Sequence, residues 1–374
     1  MNYPFHLIIK PVGDQCNLNC SYCFYKEKSE EGTVMTFATL EKLTQQYIEE
    51  QPGSCKEVQF VWQGGEPMLA GLSFYQHAMV LQEKYRRPGM AITNAIQTNG
   101  TLITNRWIEF LKQYDFQVGI SIDGMAGVHD AERIYYTGKS SHHKVIEAYR
   151  KLQKAAITTN ILCVVHQNNV GMGKQIYQYF VNDLKAKNIQ FLPVVGQATI
   201  APALWGEFLV QSFGAWCDDG VGRVSVQLFD ASYARIIQGI ETFCVHSHEC
   251  GQQLAAERNG DIFSCDQYVE KQHHIGNVTS ESFNTMLAKP VHNEFVSMST
   301  RHDIACQSCE IKGLCQGGCP KHRDQHGKNK LCEGYYRFFT HAIPYFYAFG
   351  ECVRRNMPVY QYRRFLPEIT MKIA

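Results

Sequence analysis

Long apolar runs are absent from this sequence of 374 residues, which contains no stretch of about 18 consecutive apolar residues. We therefore expect no transmembrane helix. The first six residues, Met-Asn-Tyr-Pro-Phe-His, lack the basic and then apolar pattern of a secretory signal peptide, so we expect a cytoplasmic protein. An excess of either charge is also missing, since 36 Lys and Arg stand against 35 Asp and Glu. That balance argues against binding to nucleic acid or to an anionic membrane.

Cysteine, in contrast, is abundant, with 15 in the chain. In a small secreted protein so many cysteines would indicate disulfides. In a large chain without a signal peptide, patterned cysteines more often bind metal or do redox work. The odd number also argues against a complete set of disulfides. The spacing of the cysteines is therefore the main indicator of function.

The first half of the chain alternates short apolar runs with longer helical patterns. Apolar runs predict six strands, at 7–9, 58–62, 91–97, 117–122, 157–165 and 189–195. Helical periodicity predicts the helices between them, at 37–50, 72–85, 105–114, 143–155 and 173–185. Such alternation is typical of a parallel sheet wound by right-handed crossovers, with ligands at the carboxyl ends of the strands. We therefore predict an α/β fold with a partial (β/α)6 barrel.

The pattern changes after about residue 196. Helices are predicted at 203–216, 232–239 and 335–351, whereas 244–332 is rich in Gly and Cys and shows little periodicity. Such a segment cannot bury enough apolar area to hold itself together, so we expect bound metal to order it. The predicted domains are a barrel at 1–200, a connecting helical segment at 201–243, a cysteine-rich domain at 244–335 and a C-terminal helical segment at 336–374.

Three cysteines, Cys16, Cys20 and Cys23, lie close together just after the first predicted strand. Three thiolates at this spacing can bind one iron–sulfur cluster and leave its fourth iron open to a substrate or cofactor. A zinc knuckle is the alternative interpretation of the same spacing. A closed zinc site needs a fourth ligand, however, and the only close candidate, His6, precedes the strand.

The Cys-x-x-x-Cys-x-x-Cys spacing, followed by Phe24 and Tyr25, resembles the signature of the radical S-adenosylmethionine (SAM) superfamily. The Gln-Gly-Gly-Glu-Pro stretch at 63–67, after the second strand, matches that family's Gly-Gly-Glu-Pro motif. The resemblance implies that the open iron chelates the amino and carboxylate groups of SAM. Glycines in this motif let the backbone approach the methionine portion of SAM closely.

Eight further cysteines lie between positions 244 and 332, enough for two fully ligated clusters. Spacing alone leaves two zinc ribbons as an alternative, because Cys306-x-x-Cys309 is also zinc-finger spacing. The block is similar to the SPASM extension of peptide-modifying radical SAM enzymes. That resemblance implies three 4Fe-4S clusters in all, with the two auxiliary ones on Cys244, Cys250, Cys265 and Cys319 and on Cys306, Cys309, Cys315 and Cys332. The remaining cysteines are expected to be buried thiols: Cys55, Cys163, Cys217 and Cys352.

Nearly the whole chain resembles the anaerobic sulfatase-maturating enzymes, through stretches such as 62–67, 97–100, 119–124 and 259–266. Those enzymes oxidise an active-site Cys or Ser of a sulfatase to formylglycine by means of a 5′-deoxyadenosyl radical. The resemblance implies a peptide or protein substrate, a flavodoxin- or ferredoxin-type reductant, and Asp266 as the catalytic base. It also implies the residues that line the SAM site: Tyr22, Gly64, Gly65, Glu66, Ser121, Arg133 and Val195.

Two other functions are compatible with parts of this pattern. Related radical SAM enzymes with a SPASM domain crosslink side chains of a ribosomally made precursor peptide, and they share nearly all the cluster motifs. Met68 stands where sulfatase maturases commonly carry Thr, and the chain from 195 to the helix at 203 is shorter than is typical of them. A zinc-ribbon binding module on an α/β scaffold is the non-enzymatic alternative. Iron content separates it from the two enzymes, and the mass of the product peptide separates the enzymes from each other.

Overall fold

The structure is a computed structural model that describes residues 3–26, 34–194, 196 and 200–373. The chain forms two compact units, each assembled from separate stretches. Unit 1 comprises Met1–Ser121, Glu132–Thr159 and Glu249–Thr300, and unit 2 comprises Ile122–Ala131, Asn160–His248 and Arg301–Ala374. No helix in these described ranges combines the length and the apolar character needed to cross a membrane.

Both units contain parallel strands. In chain order the strands are β1 His6–Lys10, β2 Glu57–Trp62, β3 Ala91–Thr98, β4 Gln117–Ser121, β5 Thr159–Val165, β6 Asn188–Pro193, β7 Ser225–Val226, β8 Gln253–Glu257, β9 Asp261–Phe263 and β10 His274–Asn277. In unit 1 the order across the sheet is β10-β9-β8-β1-β2-β3-β4. The pairs from β8 to β4 are parallel, whereas β9 is antiparallel to both β8 and β10. In unit 2 the parallel order is β5-β6-β7.

Helices follow the parallel strands. In chain order they are α1 Phe37–Glu49, α2 Leu72–Tyr85, α3 Asn105–Gln113, α4 Ala126–His129, α5 His142–Lys154, α6 Gly173–Gln178, α7 Pro202–Asp219, α8 Gln227–Tyr233, α9 Phe283–Leu287, α10 Pro290–Ser299, α11 Lys312–Cys315, α12 Cys332–Arg354 and α13 Leu366–Ile373. Helix α1 begins where the Thr36 hydroxyl accepts a hydrogen bond from the Thr39 backbone N–H at 3.1 Å. Thr104 caps α3 in the same way, which satisfies a backbone donor that the helix itself leaves unpaired.

Each unit has its own aromatic core. In unit 1, Trp62 on β2 contacts the rings of Phe60 on the same strand and of Tyr75 on α2, and all three side chains are fully buried. In unit 2, α7 packs along α12, where Gly206 faces Gly334. A Cβ atom on Gly206 would lie 2.9 Å from the Gly334 Cα, so small residues allow the two helices to approach closely.

The predicted alternation of strands and helices is confirmed, and with it the predicted α/β class. The segment 244–332 differs from its prediction, because it contributes β8, β9 and β10 and buries apolar side chains of its own. Leu254, Ala255 and Ala256 are all buried on β8, so that strand lacks the alternation that would reveal it in the sequence. The domain bounds at 200, 243 and 335 stay predictions.

Candidate active site

The loop that follows β1 carries the first cysteine group in unit 1. Cys16 is half-buried, Cys20 is buried and Cys23 is exposed, and no disulfide joins any of the 15 cysteines, which all lie in the described ranges. The Cys16 sulfur accepts hydrogen bonds from the Leu18 backbone N–H at 3.4 Å and from the Asn99 side-chain amide at 3.7 Å. Burial raises the pKa of the Cys16 thiol to about 11, and the Leu18 hydrogen bond opposes that rise.

The Gly-Gly-Glu-Pro loop after β2 packs directly on this cysteine loop. The Gly65 and Glu66 backbone N–H groups donate to the carbonyls of Gly13 at 2.8 Å and Gln15 at 2.7 Å. A Cβ atom on Gly65 would overlap the Gln15 carbonyl oxygen, and one on Gly64, whose φ is +131°, would lie 2.8 Å from the Gly13 oxygen. The close approach that demands glycine here is therefore to the chain's own backbone.

Glu66 connects the ends of β2 and β3. Its carboxylate is fully buried and accepts hydrogen bonds from the Thr98 hydroxyl at 2.8 Å, the Asn99 backbone N–H at 2.8 Å and the Met68 backbone N–H at 3.0 Å. Burial raises the pKa of the Glu66 carboxyl, and these three donors oppose the rise. Since Asn99 also donates to Cys16, Glu66 supports the first cysteine through one intermediate residue.

Tyr22 and Arg133, two of the residues expected at the SAM site, are in contact. The Arg133 guanidinium donates to the Tyr22 hydroxyl at 2.7 Å, and Arg133 is buried. Burial raises the pKa of both the Cys16 thiol and the Glu66 carboxyl, and the positive charge of Arg133 opposes both rises. Ser121 ends β4 and is buried, whereas Val195 lies outside the described residues.

Asp266, the predicted catalytic base, follows β9 and is buried in unit 1. Its Oδ1 atom lies 2.6 Å from the Lys10 ammonium, and the Lys10 side chain is 1% exposed. The same ammonium lies 4.0 Å from the centroid of the Tyr25 ring. The Tyr25 hydroxyl in turn donates to the Glu257 carboxylate, and burial strongly raises the pKa of that tyrosine.

The four cysteines predicted for the second auxiliary cluster all lie in unit 2. Burial raises the pKa of Cys315 to about 12, and the charges of Cys332, Cys306 and Cys309 add to the rise. All four belong to one unit, as a common cluster requires, and their common cluster stays a prediction. The chain turns between Cys315 and Cys319 through a left-handed stretch at 316–318.

The four cysteines predicted for the first auxiliary cluster are divided between the units. Cys250 and Cys265 belong to unit 1, whereas Cys244 and Cys319 belong to unit 2, so their common cluster stays a prediction. Within the described part of the chain, no three His, Cys, Asp or Glu side chains stand where they could share one metal ion. Of the cysteines outside the predicted cluster sets, Cys163, Cys217 and Cys352 are buried as expected. Cys55 is only half-buried.

The donor set around Cys16 fits an iron–sulfur cluster and SAM. Three thiols in one short loop match an iron–sulfur ligand set, and N–H donors to a ligand sulfur are a typical environment of such clusters. A buried guanidinium beside them suits a carboxylate of the kind that SAM carries. Cys16, Cys20 and Cys23 would hold the cluster, and Arg133 and Tyr22 would lie at the SAM carboxylate.

Three residues of this region were not singled out as site residues from the sequence: Lys10, Asn99 and Glu257. Lys10 could have been noticed as a charged residue that ends an apolar strand directly before the cysteine loop. Asn99 lies in a stretch that carries the resemblance, but its contact with Cys16 depends on the folding of β3 beside β1 and β2. Nothing in the local sequence distinguishes Glu257.

Comparison with known families gives two matches. Residues 11–180 match the radical SAM superfamily, and residues 248–310 match SPASM, an iron–sulfur cluster-binding domain. The partial barrel with a C-terminal SPASM domain, as predicted, is therefore the architecture of this chain.

Known proteins match the chain over nearly its full length. A serine-type anaerobic sulfatase-maturating enzyme of Klebsiella aerogenes is 36% identical over 351 residues, which cover 91% of this chain and 85% of that protein. A cysteine-type anaerobic sulfatase-maturating enzyme of Clostridium perfringens is 32% identical over 365 residues, covering 91% of this chain and 97% of that protein. A solved structure of native anSMEcpe with bound AdoMet and Kp18Cys peptide superposes with a TM-score of 0.88 at 31% identity. It covers 93% of this chain and 99% of that one.

Proposed function

This chain belongs to the radical SAM superfamily and, within it, to the anaerobic sulfatase-maturating enzymes, and on that premise we propose that it oxidises a Cys or Ser of a sulfatase to formylglycine. The observation that carries the proposal is similarity along 91% of the chain to maturating enzymes of both the serine and the cysteine type. The geometry of unit 1 supports it, because the cysteine loop, the Gly-Gly-Glu-Pro loop and Asp266 all belong to this one unit.

The cofactors we propose are SAM and three 4Fe-4S clusters, bound by the cysteine sets predicted from the sequence. When bound, they supply a 5′-deoxyadenosyl radical that takes a hydrogen atom from the substrate Cβ, and an acceptor for the electron that the substrate then loses. The protein's own contribution to this site is position and the exclusion of water. Arg133 and Tyr22, which are in contact, would orient the SAM carboxylate, and the packed loops at Gly65 would hold Cys16 in place.

Asp266 is the proposed general base. The substrate must lose one hydrogen atom, one electron and one proton to become a thioaldehyde or an aldehyde, and a buried carboxylate can take the proton from its sulfur or oxygen. A carboxylate is a weak base, but it suffices here. A sulfur or oxygen that becomes doubly bonded to carbon holds its proton only weakly. With a cysteine substrate, water then hydrolyses the thioaldehyde, so that the sulfur leaves as hydrogen sulfide and formylglycine forms.

The proposed reductant is a small one-electron carrier of the flavodoxin or ferredoxin type, because the cleavage of SAM consumes single electrons. Both the cysteine-type and the serine-type reaction are proposed, since relatives of both types match this chain at 32% and 36% identity.

The test uses two matched sulfatase-derived peptides that carry Cys or Ser at the modified position. The anaerobically reconstituted protein is incubated with SAM, a chemical reductant and one peptide, and the product is analysed by mass spectrometry and by trapping of the aldehyde with a hydrazide. We expect the hydrazide adduct on one residue of the peptide. A product that has lost hydrogens but forms no adduct would instead indicate a crosslink and would refute the proposal.

A further inference from the structure

Lys10 is a lysine enclosed by protein at the end of β1, where its side chain is 1% exposed. Removing an ammonium group from water is costly unless the charge is paired. The ammonium lies 2.6 Å from Oδ1 of Asp266 and 4.0 Å from the centroid of the Tyr25 ring, so it has both an anionic and an aromatic partner. If the side chain at position 10 only filled an apolar core, Leu or Met would be sufficient there.

The partners of Lys10 come from the segments that follow two predicted cluster ligands. Tyr25 lies two residues after Cys23, and Asp266 lies one residue after Cys265. Glu257, which accepts the hydrogen bond of Tyr25, is also the register partner of Lys10 across the parallel pair of β8 and β1. One lysine therefore contacts both segments, and every member of this group belongs to unit 1.

A buried ion pair is a poor source of stability. The loss of hydration of its two charges offsets most of their attraction, and well-packed apolar residues of similar volume are often at least as stabilising. The pair does fix geometry, because the carboxylate must face the ammonium. Asp266 follows a short strand and lies in a loop, which by itself restrains the side chain little. Its contact with Lys10, at the end of the regular strand β1, supplies that restraint.

We propose that Lys10 is a positioning residue that holds the Asp266 carboxylate by its Oδ1 atom and leaves the second oxygen to take the substrate proton. This inference rests on the proposed role of Asp266 as the base. The proton moves from the substrate sulfur or oxygen to Asp266, and Lys10 neither gains nor loses a proton. Lys10 acts through Asp266 and does not touch the substrate.

The first test compares Lys10→Met with Lys84→Met in the reconstituted holoenzyme, with the Cys peptide as substrate. The Lys84 ammonium also lies 2.6 Å from a carboxylate oxygen, of Glu41, but that pair is exposed. We expect Lys10→Met to lower the ratio of formylglycine to 5′-deoxyadenosine about tenfold or more, since a displaced base transfers protons poorly. The iron content and the rate of deoxyadenosine formation should stay near wild type. Lys84→Met should keep the ratio.

Two further variants test whether Lys10 acts through Asp266. Lys10→Arg keeps the charge but places it on a longer, planar group, so its ratio should fall between those of wild type and Lys10→Met. The double variant Lys10→Met/Asp266→Asn should be no worse than Asp266→Asn alone, because the two residues act as one unit. Hydrogen exchange of the 264–269 segment gives a readout without turnover. It should rise about tenfold in Lys10→Met and remain unchanged in Lys84→Met.

An unchanged ratio in Lys10→Met, with Asp266→Asn lowering it, would overturn the inference and leave the proposed function intact. An unchanged ratio in Asp266→Asn would instead remove the base itself and the inference with it. If Lys10→Met loses its iron, the Lys10→Arg variant is the test. A wild-type ratio of formylglycine to 5′-deoxyadenosine in Lys10→Arg would then overturn the inference.

Discussion

The side-chain amide of Asn99 lies 3.7 Å from the sulfur of Cys16, at the carboxyl end of β3. The same residue is held in place by its backbone N–H, which donates to the buried carboxylate of Glu66 at 2.8 Å. A hydrogen bond to a cluster ligand stabilises the more negative, reduced form of the cluster. Asn99 should therefore influence the electron affinity of the cluster that cleaves SAM.

Replacing Asn99 by Leu, which is similar in size and has no donor, should lower the reduction potential of that cluster. The potential is measured by an anaerobic redox titration followed by electron paramagnetic resonance, in the absence of SAM. Asn105→Leu is the control, because Asn105 is exposed at the start of α3. Equal potentials in the two variants would show that the Asn99 amide has no influence on the cluster.

Gly65→Ala should destabilise the protein by about 1–3 kcal/mol, because its new methyl group would overlap the Gln15 carbonyl and push the cysteine loop away. The free energy of unfolding and the iron content are both measured. Gly53→Ala is the matched control, since no atom lies within 4 Å of the position its methyl group would take. A loss of stability of the same size in both variants would contradict the packing of the two loops.

Cys16→Ala, Cys20→Ala and Cys23→Ala should each abolish the formation of 5′-deoxyadenosine, because three ligands leave no redundancy. About two thirds of the iron should remain if the auxiliary clusters bind independently. Cys55→Ala, outside every predicted set, should keep both the iron and the activity. Deoxyadenosine production in any of the first three variants would exclude the ligand assignment.

Reconstitution should give about twelve irons per chain, and Cys309→Ala should bring this to about eight by removing one auxiliary cluster. The expectation follows from the two predicted sets of four C-terminal cysteines, of which the set Cys306, Cys309, Cys315 and Cys332 lies entirely in unit 2. Iron and zinc are counted together by atomic emission. If the protein holds zinc tightly and contains iron for only one cluster, the result would support the zinc-ribbon hypothesis instead.

Asp266→Asn should uncouple the formation of formylglycine from the formation of 5′-deoxyadenosine. The amide keeps the size of the side chain but cannot accept the proton, so formylglycine should fall about 100- to 10,000-fold while SAM cleavage continues. A single-turnover experiment that quantifies both products gives the ratio. If product and deoxyadenosine fall together, Asp266 contributes to the fold of the site rather than to proton transfer.

The sequence predicted those parts of the fold that have a local periodic signal. Strands such as β2 and helices such as α2 were predicted within one residue of their observed ends. Strands β8 to β10 were not predicted, because they are short and their cysteine-rich surroundings hide the alternation of side chains. Strand β8 is recognisable as a strand only beside β1, with Leu254 opposite Leu7.

The features of the candidate site likewise fall into those with a local sequence signal and those without one. The roles of the site residues stay predictions. The cysteine, Gly-Gly-Glu-Pro and Asp266 positions could be singled out from the sequence because each lies in a short contiguous motif that resembles a known family. The ion pair of Lys10 with Asp266 could not, since it joins two residues far apart in the chain. The same holds for the contact of Asn99 with Cys16. Both contacts follow from the order of the strands across the sheet rather than from any local pattern.

The parallel pairing of β8 with β1 has a consequence for the synthesis of the chain. Strand β8 emerges from the ribosome about 240 residues after β1, which takes roughly 10–50 s at ~5–20 residues per second. During that interval one edge of β1 has no neighbouring strand, and an open edge is a template for pairing with other chains. Nascent chains halted before residue 253 should therefore associate and depend on chaperones, whereas release of the complete chain closes the edge.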